Sequence, residues 1–220
     1  MSQMPYQKIA RLYSGRWDQG YVTGKLRTDP LYSALLDELG ESTLPLLDLG
    51  CGLGLLAFFL REAGVQVPIT GLDYDVRKIE SARKAMLAAN FHGLSFNHHD
   101  ARSGLPEHCG NVSILDILQF FTQHEQLKLL DLAAQRVAPG GKLVIRSGLQ
   151  DCSMRFKITV AGDLLAKATF WMKAAPIHYP TAADFQKILG PHGEVEMKPL
   201  WGKTPFNNHL IVLRRNQTLA

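Results

Sequence analysis

The stretch Leu46-Leu47-Asp48-Leu49-Gly50-Cys51-Gly52-Leu53-Gly54 decides the fold. An apolar run of strand length, Leu44–Leu49, breaks into three alternating glycines, and helical periodicity resumes over Leu55–Ala63. Glycine lacks a Cβ, so such a turn can adopt positive φ and bring its backbone against a ligand. The helix that follows offers free N–H groups in its first turn. Strand, glycine turn and helix in that order read as a ligand-binding loop at the carboxyl end of a buried strand.

Outward from this loop, strands alternate with helices. Val67–Leu72 reads as a second strand, Val76–Asn90 as a helix, Leu94–His98 as a third strand and Val112–Leu115 as a fourth. A helix over His124–Val137 and a fifth strand over Lys142–Arg146 follow. Such alternation predicts parallel pairing with right-handed crossovers. The pattern then changes. Residues 148–180 form an insertion with an amphipathic helix over Ile158–Lys173, its apolar positions running from Val160 to Trp171 and Met172. A helix over Thr181–Leu189 comes next, with Thr181 as N-cap and Asp184 three residues later. Two last strands, Glu194–Pro199 and His209–Leu213, are joined through the short turn-rich segment Gly202–Asn208, which suits an antiparallel hairpin. The expected architecture is α/β: a mostly parallel seven-stranded sheet ending in an antiparallel hairpin, within a single domain 1–220. Its parts are an N-terminal arm 1–43 with a helix over Asp29–Leu39, a cofactor-binding core 44–147, an insertion or lid 148–180, and a terminal helix and hairpin 181–215.

Composition sets bounds on function. With 220 residues, 46% hydrophobic and 20% charged, the chain can bury one sizeable core. The net charge of +4 comes without a run of five basic residues or a basic patch interleaved with aromatics, so nucleic acid is not expected as a partner. The three cysteines, Cys51, Cys109 and Cys152, lack CxxC spacing and argue against a disulfide framework or structural zinc. No apolar run marks a signal peptide or a transmembrane span, and a reducing cytoplasm fits best.

The glycine loop also speaks to the ligand. A dinucleotide fingerprint, GxGxxG, would need a small residue at position 55, where the chain has leucine. Instead the glycines run G-x-G-x-G, with the acid Asp48 two residues before the first. An acid suits the sulfonium and ammonium of S-adenosylmethionine better than a pyrophosphate. Asp48–Gly54 resembles motif I of class I S-adenosylmethionine-dependent methyltransferases, and three further positions agree in order: Asp73 ending the second strand, Asp100 after the third, and Pro139-Gly140-Gly141 before the fifth. The resemblance implies a Rossmann-like fold and S-adenosylmethionine as cofactor. It implies that Gly50, Cys51, Gly52 and Gly54 wrap the cofactor, that Asp73 with Tyr74 receives the ribose hydroxyls, and that Asp100 with Ala101 meets the adenine. Asp116, after the fourth strand, falls where the family flanks the methionine moiety. Taken singly, Asp48 could cap a turn, Asp73 could be an ordinary strand-end acid, and Asp100 a surface turn residue. Their joint order is the argument.

Methyl transfer is an in-line displacement that needs alignment and exclusion of water, and no metal. A phenol acceptor benefits from a general base, for which His124 and His178 are the candidates, each with a surface role as its alternative. Arg146, ending the fifth strand, suits an acid function on the acceptor. Lys25 or Arg27 of the arm could pair with the cofactor carboxylate. Tyr13, Trp17 and Tyr21 could line the pocket or pack the arm down. The arm together with Trp201–Asn207 is similar to small methyltransferases of bacterial aryl polyene clusters, which implies O-methylation of a hydroxylated aryl acid, free or bound to an acyl carrier protein. Similarity to trans-aconitate methyltransferases implies instead carboxyl methylation of a small aliphatic acid. An NAD-dependent oxidoreductase and a non-catalytic S-adenosylmethionine-binding protein are the readings from other classes. Nucleic-acid amino-methylation is disfavoured, since Asp116-Ile117-Leu118-Gln119 stands where that subclass carries its Asn/Asp-Pro-Pro-aromatic tetrad. The stretch 158–173 is expected to form a lid, with a membrane-surface contact as its alternative.

Overall fold

A computed structural model describes residues 5–168 and 178–216. Seven strands form one sheet in the order β3-β2-β1-β4-β5-β7-β6. They are β1 (Leu46–Leu49), β2 (Ile69–Asp73), β3 (Leu94–His98), β4 (Asn111–Leu115), β5 (Lys142–Gly148), β6 (Gly193–Pro199) and β7 (Asn208–Arg215). The β1–β2, β2–β3 and β4–β5 ladders are parallel, while β7 runs antiparallel to both β5 and β6. The mostly parallel sheet and its terminal hairpin are as the sequence predicts. Contacts group the chain into two compact units, one ending at Ala101 and one beginning at Arg102.

The first unit opens with three helices, α1 (Pro5–Ala10), α2 (Arg16–Thr28) and α3 (Leu31–Leu39). Two corrections to the expected arm follow. α3 starts at Leu31 because Asp29 caps it from outside, its Oδ1 accepting from the Leu31 N–H at 3.0 Å. α2 is unpredicted: it contains Gly20 and Gly24, which weaken helix propensity, and it buries only Val22 and Leu26. Beyond the glycine turn come α4 (Leu55–Glu62) and α5 (Val76–Ala89). Residue types explain the burial. All four residues of β1 are buried, as in a strand covered on both faces. Arg61 on α4 is also buried, because its guanidinium donates to the carbonyls of Val65, Val67, His92 and Gly93.

The second unit holds α6 (Gln123–Gln135), α7 (Met154–Ala168) and α8 (Ala182–Leu189). α6 begins with a capping box between Thr122 and Glu125, and α8 with one between Thr181 and Asp184, the latter at the position the sequence marks. The insertion helix starts at Met154, four residues before the expected Ile158, because the Ser153 hydroxyl accepts from the Phe156 N–H at 3.1 Å and caps it there. The expected continuation through Trp171 to Lys173 lies outside the described residues. Among the described residues no helix is long and apolar enough to cross a membrane.

Candidate functional site

In the first unit, the glycine turn follows β1 directly. Gly50, Gly52 and Gly54 have φ of 75°, 55° and 80°, a region that disfavours residues with a Cβ. The Gly50 and Cys51 N–H groups donate to the Leu72 carbonyl at 2.7 and 3.0 Å, which pins the turn to β2. Gly54 and Gly52 have different reasons. A Cβ on Gly54 would lie 2.7 Å from the Phe96 ring, so close packing excludes one. A Cβ on Gly52 would meet nothing nearer than Lys78 Cδ at 4.0 Å, so that backbone faces open space.

Asp73 organises the turn. Its Oδ2 accepts from the Gly52 N–H and its Oδ1 from the Asp75 N–H, both at 2.8 Å. Each carboxylate oxygen has a further lone pair for ligand hydroxyls. Asp48 is buried at 2% exposure within β1. Burial first, then the charges of Asp48 and Asp73, pushes the Cys51 thiol up, so it stays protonated and unreactive. Tyr74 beside them is 63% exposed, and its ring lies 6.4 Å from that of His98. Asp100 is half-buried ahead of a short 3₁₀ turn that begins at Ala101.

Sequence reasoning left the role of Tyr13 open, and the structure decides for packing. Its hydroxyl donates to the Leu53 carbonyl at 2.6 Å, its ring meets Phe58 edge-on, and the residue is 2% exposed. Trp17 and Tyr21 are exposed. Lys25 forms an ion pair with Asp29 at 3.5 Å, and Arg27 is exposed on the last turn of α2.

In the second unit, Asp116 follows β4 with φ of 58°, and its N–H donates to the Arg146 carbonyl at 3.1 Å. The Arg146 guanidinium grips the Asp116 carboxylate with two parallel hydrogen bonds, from Nε and from Nη2. The arginine side chain is 5% exposed and the aspartate 31%. This buried cation is therefore engaged by a carboxylate of the chain itself. Phe121 is buried beneath the Arg102 guanidinium, 4.6 Å from the ring centre.

His124 and His178 are both exposed. His124 lies in the first turn of α6. His178 is anchored through its backbone, donating to the Gln119 carbonyl and accepting from Gln126 Nε2 at 3.0 Å. Its neighbour Tyr179 turns inward and donates to Asp163 Oδ2 of α7 at 2.5 Å. Sequence reasoning missed Asp163, which looks like one acid in an amphipathic helix. Among the described residues no group of three or more His, Cys, Asp or Glu could hold a metal ion.

Residues 41–184 match the methyltransferase domain family. Ribosomal protein L11 methyltransferase of Burkholderia vietnamiensis is 32% identical over 126 residues, covering 57% of this chain and 39% of that protein. The chain thus spans about two fifths of the length of the curated relatives it matches. Among solved structures, magnesium protoporphyrin IX methyltransferase from Synechocystis with bound S-adenosylhomocysteine superposes with a TM-score of 0.63 at 19% identity, over 95% of this chain and 93% of that one. Mitomycin 7-O-methyltransferase gives 0.69 at 19%, over 90% and 56%. The [4+2]-cyclase SpnF gives 0.66 at 16%, over 93% and 85%, so this fold also carries other chemistry. The matched range takes in the glycine turn and the strand-end acids and covers more than half of the chain, so this chain belongs to the methyltransferase domain family.

Proposed function

We propose that this family member binds S-adenosylmethionine and methylates the hydroxyl of a small aryl acceptor whose acid function is masked as a carrier-bound thioester. The residues of the first unit fit the cofactor. The open space over Gly52 leaves room for it, Asp48 supplies negative charge for its cationic end, and Asp73 has acceptor capacity for a ribose diol. Tyr74, Asp100 and Ala101 complete the proposed cofactor set, and Arg27, the other of the two arm candidates beside Lys25, is the cation for its carboxylate. When bound, the cofactor supplies an electrophilic methyl group.

The observation that carries the acceptor reading is the Arg146–Asp116 pair. A lone arginine would favour a free carboxylate on the acceptor. An arginine already gripped by an aspartate offers no net positive charge. An aliphatic polycarboxylate would bring further charge against Asp116. A thioester carries none, and the net charge of +4 suits an acidic carrier. The ribosomal protein named for the relatives does not transfer with the shared segment, which is a minor part of their length.

Calorimetry with S-adenosylhomocysteine tests the cofactor reading. Turnover tests the acceptor, using the N-acetylcysteamine thioester of 4-hydroxycinnamate, the free acid and an aliphatic tricarboxylate. The expected order is thioester first, free acid second and tricarboxylate negligible. Preferential turnover of the tricarboxylate overturns the aryl reading. Binding without turnover of any methyl acceptor favours the non-catalytic alternative.

A further inference from the structure

Four polar side chains from separate parts of the second unit come together: Asp116 after β4, Arg146 on β5, Asp163 on α7 and Tyr179 ahead of α8. Arg146 neutralises Asp116, and the Asp116 charge is felt at Asp163. Tyr179 is fixed tightly. Phe156 meets its ring edge-on at 5.2 Å, and a Cβ on Gly148 would lie 3.1 Å from that ring. The helix carrying Asp163 is fixed too, since Thr159 Oγ1 accepts from the Asn207 N–H at 2.8 Å and Arg155 donates to the Thr204 carbonyl at 2.7 Å. A carboxylate is thus held in one orientation beyond the carboxyl ends of β4 and β5, the side of an open α/β sheet where ligands bind.

We infer that Asp163 is the catalytic residue that takes the proton of the acceptor hydroxyl, with Tyr179 as the positioning residue that fixes it and the Asp116–Arg146 pair as a neutral floor. This rests on the O-methylation reading above. Tyr179 occupies Oδ2, and among the described residues no hydrogen bond reaches Oδ1. The acceptor O–H bond breaks and its proton passes to Oδ1. The oxygen electron pair forms the bond to the methyl carbon. The carbon–sulfur pair stays with sulfur, leaving a neutral thioether, and Asp163 then releases its proton to water. Burial, the largest cause, raises the proton affinity of Asp163; the Tyr179 hydrogen bond lowers it, and the Asp116 charge adds a smaller rise. Among the described residues, the groups facing it are Tyr179, Asp116 and, through Asp116, Arg146. A base with raised affinity is better matched to a phenol at neutral pH than an ordinary aspartate.

Two measurements test this. With the thioester probe, Asp163→Asn should lower kcat about 100-fold, within the range for losing a general base, with KM and S-adenosylhomocysteine affinity changed less than about threefold. Tyr179→Phe removes the hydrogen bond that lowers the Asp163 pKa, so the rising limb of kcat against pH should move to higher pH. Wild-type kcat and limb in Asp163→Asn would overturn the inference. Independently of turnover, carbon-13 NMR of aspartate-labelled protein loaded with S-adenosylhomocysteine should show the Asp163 carboxyl, identified by its loss in Asp163→Asn, titrating above its ordinary range and higher still in Tyr179→Phe. Ordinary titration overturns the inference whatever the probe does. Raised titration with no turnover of any aryl probe overturns the acceptor reading instead.

Discussion

The glycine turn and the Asp116–Tyr179 cluster are built by opposite means. The turn is local backbone: alternate residues, Gly50, Gly52 and Gly54, adopt positive φ, and the side chain that holds the Gly52 N–H, Asp73, is the last residue of the next strand. The cluster is made of side chains. Arg146 reaches back 30 residues to Asp116, and Tyr179 reaches back 16 to Asp163. A backbone site depends on conformations that glycine alone tolerates, so its residue types are legible. A side-chain site depends on which elements the fold brings together, so its residue types are ordinary until they meet.

Substitutions can break or sharpen this contrast. The largest effect is expected at Gly52, where φ of 55° and the open face meet. Gly52→Val should abolish S-adenosylhomocysteine binding in calorimetry, because a β-branched residue resists positive φ and fills the space. Gly64, at φ of 92° beyond the far end of α4 with nothing within 4 Å, is the control. Gly64→Val carries similar strain and should keep binding. Loss of binding in both would make backbone strain, not the cradle, the cause.

Next comes the ion pair. Arg146→Leu leaves Asp116 part-buried without its partner, at a cost of about 3 kcal/mol in urea unfolding. Adding Asp116→Asn should recover most of that, since asparagine tolerates the left-handed conformation. No recovery would mean that the guanidinium stabilises through packing instead of charge.

Asp73→Ala should weaken S-adenosylmethionine binding by about 1.5–3 kcal/mol, the worth of hydrogen bonds to a charged group. Circular dichroism should stay unchanged. Undiminished affinity would remove Asp73 from the ligand and leave it as a brace for the Gly52 N–H.

The smallest effect concerns Asp163. Its folded pKa is raised by burial, so its ionised form opposes folding. Stability linked to this group is fully present below the ordinary aspartate range and is lost as pH rises through the folded pKa. Asp163→Asn should therefore raise Tm at pH 7 by about 2 °C, with the gain vanishing near pH 3. A gain equal at both pH values would point to packing and not to charge.

The elements most legible in the sequence are those whose caps and periodicity are local. β3 matches its expected span, Leu94–His98, and α8 follows the expected N-cap Thr181. α2 was not legible, because two glycines and a mostly polar surface hide a helix stabilised by packing of Val22 and Leu26. His178 drew notice for its chemistry, but backbone bonds at Gln119 and Gln126 leave its side chain exposed and turn Tyr179 inward.

By itself the sequence determined the parallel sheet, the closing hairpin and the glycine turn, because strand periodicity, loop length and glycine's missing Cβ act over a few neighbouring residues. Only the tertiary structure decided that Arg146 is spent on Asp116, that Tyr13 braces the turn through Leu53, and that Asp163 meets Tyr179. Each of those depends on a side chain from one element finding a partner on another, and nothing in the residue types along the chain specifies that pairing.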